Sequence, residues 1–211
     1  MFYETISNEQ LNVLENFSKI KEVTDKFYLA GGTALALRLG HRKSYDFDFF
    51  TVEKFNSDFY SDMVKIKFGG VVSSLSEDTV NGIINDIGIS FFKYPYRLIR
   101  NSDKFKNIEI ASLEDLVAMK LSAIMKRGTK RDFFDIYELF KIFQLPELKN
   151  FLLEKYKKNG NSFYHLTRSL FYFEDAENDI DPISLNGTSW GIVKKYMLSN
   201  EKKISNAFLL T

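Results

Sequence analysis

Apolar positions recur at helical spacing in the first stretch of the chain, as Leu11, Leu14, Phe17 and Ile20. Ser7 and Gln10 ahead of them form the capping box that opens such a helix. Tyr28-Leu29-Ala30 is a short apolar run ending at Gly31-Gly32 and reads as a buried strand. Residues 33–39 read as one or two helical turns stopped by Gly40. Residues 46–51 alternate polar and aromatic, which predicts a strand. Phe55, Phe59, Met63 and Ile66 mark another helix. Residues 70–75, 79–84 and 87–92 read as three further strands, with Asn85-Asp86 as the two-residue hairpin turn joining the last two. Tyr94-Pro95-Tyr96 ends the expected sheet. From there the period is helical. Ser112 with Asp115 opens a helix running to about Arg127, and Gly128-Thr129 breaks it. Residues 131–143, 147–158, 162–173 and 190–198 follow as helices. Strands followed by helices predict an α+β fold, a mixed sheet with flanking helices over residues 1–110 and a helical bundle over 111–211.

Composition narrows what such a chain can be. Of 211 residues, 45% are hydrophobic and 27% charged, which excludes disordered, collagenous and low-complexity classes. A chain of this mass buries about 70% of its unfolded surface, enough for a core without staples. With Cys 0 there is no disulfide, thiol nucleophile or cysteine metal site, and with only His41 and His165 there is no histidine-rich one. A hard cation held by carboxylates stays open. The net charge of +1 argues against general polyanion binding, though not against a local basic groove. No run reaches the ~20 apolar residues of a membrane span, and Met1-Phe2-Tyr3-Glu4 does not begin a signal peptide. No membrane association and a cytoplasmic location are expected.

Two constellations carry candidate chemistry. The first is Gly31-Gly32-Thr33 followed by Arg42-Lys43-Ser44-Tyr45-Asp46-Phe47-Asp48. A strand, two glycines and a hydroxyl residue opening a helix place backbone N–H groups toward an anion and let it approach closely. Strand alternation puts Asp46 and Asp48 on one face and Phe47 and Phe49 on the other. Two neighbouring carboxylates repel unless a cation sits between them, and Mg²⁺ suits a few carboxylates plus substrate phosphates. A solvated edge strand with two surface aspartates is the alternative. The second constellation is Lys120, at the edge of an apolar stripe of Leu116, Met119 and Ala123, with Arg127, Lys130, Arg131, Asp132 and Asp135. The cations form a cluster fit for a triphosphate or nucleic-acid backbone, and Asp132 and Asp135 are neighbours on one helix face. Ordinary surface salt bridges are the alternative here.

Taken together these residues resemble the AbiEii/AbiGii toxin family of bacterial toxin–antitoxin and phage-defence systems. Gly-Gly-Thr, about a dozen residues, then Arg-x-Ser-x-Asp-x-Asp resembles its first motif. Asp115-x4-Lys120 resembles the third, and Arg127-x3-Arg131-Asp132-x2-Asp135 the fourth. Phe171-Tyr-Phe-Glu-Asp-Ala-Glu177, Asp181-Pro182 and Ser189-Trp190 resemble the tail of one branch. The resemblance implies a nucleotidyltransferase fold that moves a nucleoside monophosphate from an NTP to an acceptor hydroxyl of RNA, such as a tRNA end, or of protein. It implies a toxin restrained by a separately encoded antitoxin, with or without direct contact. Asp46 and Asp48 would hold Mg²⁺ or Mn²⁺. Gly31, Gly32 and Thr33, with Arg42, Ser44, Arg127 and Arg131, would bind the nucleotide, and Lys120 would neutralise phosphate charge. Asp132 or Asp135 would position the acceptor or act as base.

One departure bears on activity. Active members of this fold usually carry a third carboxylate on a neighbouring strand, and the matching stretch Gly88-Ile89-Ser90-Phe91 puts Ser90 there. Asp86 shares its parity, but Asn85-Asp86 has turn chemistry. A nucleotide- or RNA-binding protein without transferase activity is therefore the alternative function. Of the lesser features, the acids between Glu174 and Asp181 read as a solvated loop. His41 reads as a surface loop histidine, His165 as a packing residue and Trp190 as the anchor of the last helix. Tyr94 and Tyr96 read as covering the end of the sheet.

Overall fold

The computed structural model describes residues 1–157 and 160–210. Its strands are β1 (Tyr28–Ala30), β2 (Phe47–Thr51), β3 (Val71–Ser76), β4 (Thr79–Ile84), β5 (Ile87–Lys93), β6 (Asp103–Phe105) and β7 (Ile108–Ile110). They form one mixed sheet in the order β3-β4-β5-β2-β1-β7-β6. β2 runs antiparallel to β1 and parallel to β5, and β1 runs parallel to β7. The helices are α1 (Asn8–Phe17), α2 (Lys21–Thr24), α3 (Gly31–Leu39), α4 (Ser57–Asp62), α5 (Leu113–Ile124), α6 (Lys130–Ile142), α7 (Leu145–Tyr156), α8 (Gly160–Leu170), α9 (Glu174–Glu177), α10 (Trp190–Ser199) and α11 (Glu201–Leu209).

Local chemistry accounts for most of these boundaries. Both halves of the Ser7–Gln10 capping box form at the start of α1. Gly40 adopts the left-handed conformation that ends α3, as a residue without Cβ can. Ser112, Thr129 and Ser189 accept first-turn N–H groups of α5, α6 and α10. Asn85 and Asp86 both have positive φ and turn β4 back into β5, as their turn chemistry predicts. In β2, Phe47 and Phe49 are fully buried while Asp48 and Phe50 face a cleft, so the period-2 reading holds. Aromatic rings fill the buried face where β2 meets β5. Phe49 stacks on Phe91 of β5 at 5.2 Å, and Phe17 of α1 closes over both at 5.2 and 5.9 Å.

The structure departs from the sequence reading in several places. The sheet does not end at Tyr96, because β6 and β7 follow and β7 extends it beside β1. Strands of three residues carry too little alternation to register as periodic. The helix expected from Phe55 to Ile66 is α4 followed by a π-helical turn, Met63–Lys67, and this rotation leaves Ile66 81% exposed. α5 ends at Ile124, three residues before Arg127. α3 begins at Gly31, two residues earlier than expected. α9 and α11 were not foreseen. The expected helix end at Lys158 lies outside the described residues. His165 is exposed rather than packed into the core, with its ring edge-on to Tyr164 at 6.1 Å. Trp190 does anchor its helix, edge-on to Phe133 and Phe173 at 5.5 and 5.8 Å.

Candidate active site

The exposed face of β2 and β5 forms one wall of a cleft, and α5 with the start of α6 forms the other. The parallel register sets Asp48 beside Ser90. Asp46 lies just before β2 with its carboxylate over Gly88, where an added Cβ would lie 2.6 Å from Asp46 Oδ1. On the other flank Gly31 has φ +72°, and an added Cβ would collide with Asp48 Oδ2. Glycine at both positions opens space around the carboxylate pair. Neither carboxylate accepts a hydrogen bond from the described residues; the nearest cation to Asp46 is Arg131, at 3.9 Å. Burial pushes the Asp48 carboxyl above its usual range, Lys120 offsets this only in part, and Asp46 adds to it.

Thr33 and Ser44 are buried behind the pair. The Thr33 hydroxyl donates to the Asp46 carbonyl and meets the Ser44 hydroxyl at 2.7 Å, so Thr33 fixes the backbone that presents Asp46. No side chain caps the start of α3, and its first residues, Gly31, Gly32 and Thr33, line the cleft.

The second constellation folds into a buried ionic network. Asp135 is completely buried and accepts from Arg42 Nε and Nη2 at 2.7 and 2.9 Å and from His41 Nε2 at 2.7 Å. Lys120 Nζ lies 2.5 Å from its other oxygen. His41 is thus a buried partner of Asp135, not a surface loop histidine. Asp132 accepts from Lys120 at 3.0 Å, from Arg127 Nε at 2.9 Å and from the Thr129 hydroxyl at 2.7 Å. Burial alone would raise both carboxyls, but the charges beside them win. Lys120, with the Arg127 and Thr129 hydrogen bonds, holds Asp132 down to about 2, and Arg42 and Lys120 hold Asp135 well below the carboxylate range. Lys120 and Arg42 therefore sit at the cleft in fixed positions.

The cleft has two compartments that share Asp48, Lys120 and Arg127. The smaller, of about 140 Å³, is polar and runs from Gly32 and Ser44 to Arg131. The larger, of about 280 Å³, is mostly apolar, with Phe50, Phe92 and Tyr94 on the sheet side and Leu116, Met119 and Ala123 of α5 opposite. Tyr94 thus lines the cleft just past the end of β5. Lys130, grouped with the cleft cations by sequence, points away. Its ammonium binds the Asp179 carbonyl at 2.6 Å and Asp181 at 2.7 Å, so part of the acidic loop anchors the tail.

Sequence reasoning read Asp115 as a cap and motif residue and missed its pairing with Lys155. Both are completely buried and paired at 2.6 Å, and Asp115 also accepts the backbone N–H groups of Ile99 and Arg100. The Ser112-x-x-Asp115 spacing signalled a cap, and nothing in it signalled a partner forty residues away.

A mixed sheet carrying an acidic pair, a glycine turn into a helix and a lysine on the facing helix defines a nucleotidyltransferase fold. JHP933 from Helicobacter pylori shares it, with a TM-score of 0.53, 21% identity and 95% of each chain covered. MenT4, nucleotidyltransferase toxin Rv2826c from Mycobacterium tuberculosis H37Rv, shares it with a TM-score of 0.52 and 14% identity, over 86% of this chain and 80% of that one. The chain is also 39% identical over 181 residues to aq_aa25 of Aquifex aeolicus (strain VF5), covering 83% of this chain and 86% of that protein. It belongs to the nucleotidyl transferase AbiEii toxin family, of type IV toxin–antitoxin systems, which it matches over residues 13–110 and 68–189. Among the described residues, no helix is long and apolar enough to cross a membrane.

Proposed function

We propose that this chain is a Mg²⁺-dependent nucleotidyltransferase that acts as a toxin in the cytoplasm, moving a nucleoside monophosphate from an NTP to a hydroxyl of RNA or protein. The observation that carries this reading is the pair of carboxylates without hydrogen-bond partners, Asp46 and Asp48, facing Lys120 and Arg127 across the polar compartment. Two carboxylates that accept no hydrogen bond among the described residues, with glycines at their flanks and Arg131 3.9 Å from Asp46, fit a hard dication that completes its shell with phosphate oxygens and water. Mg²⁺ or Mn²⁺ bound there would neutralise charge on the phosphates. The base and ribose fit the apolar compartment, and the triphosphate fits the polar one, along the start of α3 and the Arg42 and Ser44 side.

The acceptor oxygen attacks the α-phosphorus and the bond from that phosphorus to the bridging oxygen breaks. Pyrophosphate leaves, and the hydroxyl proton passes to water. Lys120, Arg127 and Arg131 meet the charge that develops on the phosphates. Asp132 and Asp135 act as positioning residues through Lys120 and Arg42, because carboxyls held so low and so fully bonded are poor proton acceptors near neutrality. A separately encoded antitoxin restrains the activity. Ser90 beside Asp48 favours a second reading, a protein that binds nucleotide or RNA and transfers nothing.

The deciding assay incubates purified protein with each labelled NTP, Mg²⁺, cellular RNA and protein extract, beside an Asp46→Asn/Asp48→Asn variant. Label transferred by the wild type and lost in the variant supports transfer, and the labelled species is the acceptor. Nucleotide binding that needs Mg²⁺ and both aspartates, with no transfer, supports the second reading.

A further inference from the structure

We infer that the site holds a single divalent cation through its own side chains, with the Ser90 hydroxyl as a neutral third oxygen where a second cation would need a carboxylate. The inference rests on the reading of Asp46 and Asp48 as cation ligands. It comes from counting the oxygens free to bind. On β5 the residues flanking the carboxylate pair are Gly88, beneath Asp46, and Ser90, beside Asp48. Across the next strand pair Ser90 faces Asn81, whose amide nitrogen donates to Ser74 Oγ at 2.7 Å and whose amide oxygen is neutral, so it supplies no charge for a second cation. Asp86, the acid of matching parity, sits in the hairpin turn with φ +61°, about 13 Å along the strand from Ser90. Asp132 and Asp135 are close in space, but their oxygens are engaged by Lys120, Arg127, Thr129, Arg42 and His41. No group of three or more acidic, histidine or cysteine side chains suited to a metal occurs among the described residues.

Charge balance agrees with the count. Asp46 and Asp48 together match one dication. A second would be held by Asp48, already shared, and by a neutral hydroxyl, while Lys120 and Arg127 stand beside it. A two-cation clamp, which activates attacking and leaving oxygens alike, needs more anionic ligands than this face offers. The cation would thus serve the phosphates, and the acceptor hydroxyl would attack without a metal of its own. Replacing the hydroxyl of Ser90 by a carboxylate supplies the missing ligand at the position the register fixes.

The test counts Mn²⁺ by electron paramagnetic resonance titration of the full chain with an equimolar mixture of the four α,β-methylene nucleoside triphosphates, corrected for Mn²⁺ bound to free nucleotide. The expected result is one tightly bound Mn²⁺ per chain for the wild type, two for Ser90→Asp, and one for Ser90→Ala with weaker affinity. Two in the wild type, or one in a folded Ser90→Asp variant, overturns the inference and leaves the transferase reading standing. No protein-dependent Mn²⁺ in any variant overturns both. Circular dichroism of each variant separates loss of a ligand from loss of fold.

Discussion

Asp48 is the residue at which stability and function pull apart. Its carboxyl is raised because burial and Asp46 both disfavour the charged form. An acid raised in the folded state weakens the fold while it is ionised, and stability returns as pH falls through the folded value. Asp48→Asn should therefore stabilise the ligand-free protein by about 1 kcal/mol while abolishing cation binding; a urea midpoint that falls instead would contradict this. Asp132 has the opposite sign. Its folded value of about 2 lies below the ordinary 3.8. Its contribution is complete above the ordinary value and is lost as pH drops from there toward the folded value. Urea midpoints measured against pH should fall over that acid window, and Asp132→Asn should flatten the slope at the cost of a less stable protein at pH 7. Residue types in the first motif were legible in the sequence because a period-2 strand dictates which side chains share a face. The burial of His41 was not, because its partner, Asp135, is brought to it only by the packing of α6.

At the scale of elements, the long strands and capped helices could be read from the sequence, while the pieces that close the sheet could not. β4 and β5 announced themselves through alternation and a turn. β6 and β7 are three residues each, and the backbone of Ala111 bonding to Leu29 places β7 beside β1, a non-local event. The Asp115–Lys155 pair shows what such pairing costs and secures. It ties α5 to α7 and holds the 97–100 segment, since Lys155 also donates to the Arg97 carbonyl at 3.1 Å. Removing one member strands a buried charge, so Lys155→Ala should cost about 3–5 kcal/mol in denaturant unfolding. Asp115→Leu with Lys155→Met should lose less than the sum of the single changes, by about 2 kcal/mol in a double-mutant cycle. Additive losses would show that the two charges do not stabilise one another.

For the whole molecule, the question is whether the sheet half and the helical half, expected to divide near residue 110, unfold together. What crosses that line is buried and polar as well as apolar. Arg38 of α3 donates to the Ala111 carbonyl at 2.7 Å. Asp135 of α6 holds Arg42 by two hydrogen bonds, and the tail pairs with the same loop through Lys43 N to the Ile183 carbonyl and Leu185 N to the His41 carbonyl. Opening either half alone would break the buried Arg42–Asp135 pair and leave its remaining partner in a partly dry interface, which is costly enough to couple the two. The prediction is one cooperative transition. Trp190 is the single tryptophan and packs on Phe133 in the helical half, so its fluorescence reports that half, whereas the near-ultraviolet circular dichroism of the eleven tyrosines samples both halves. Both probes should give the same urea midpoint and slope. Separate midpoints would mean that the cleft lies between two independently stable units, and the fixed Lys120 geometry derived above would then hold only while they stay docked.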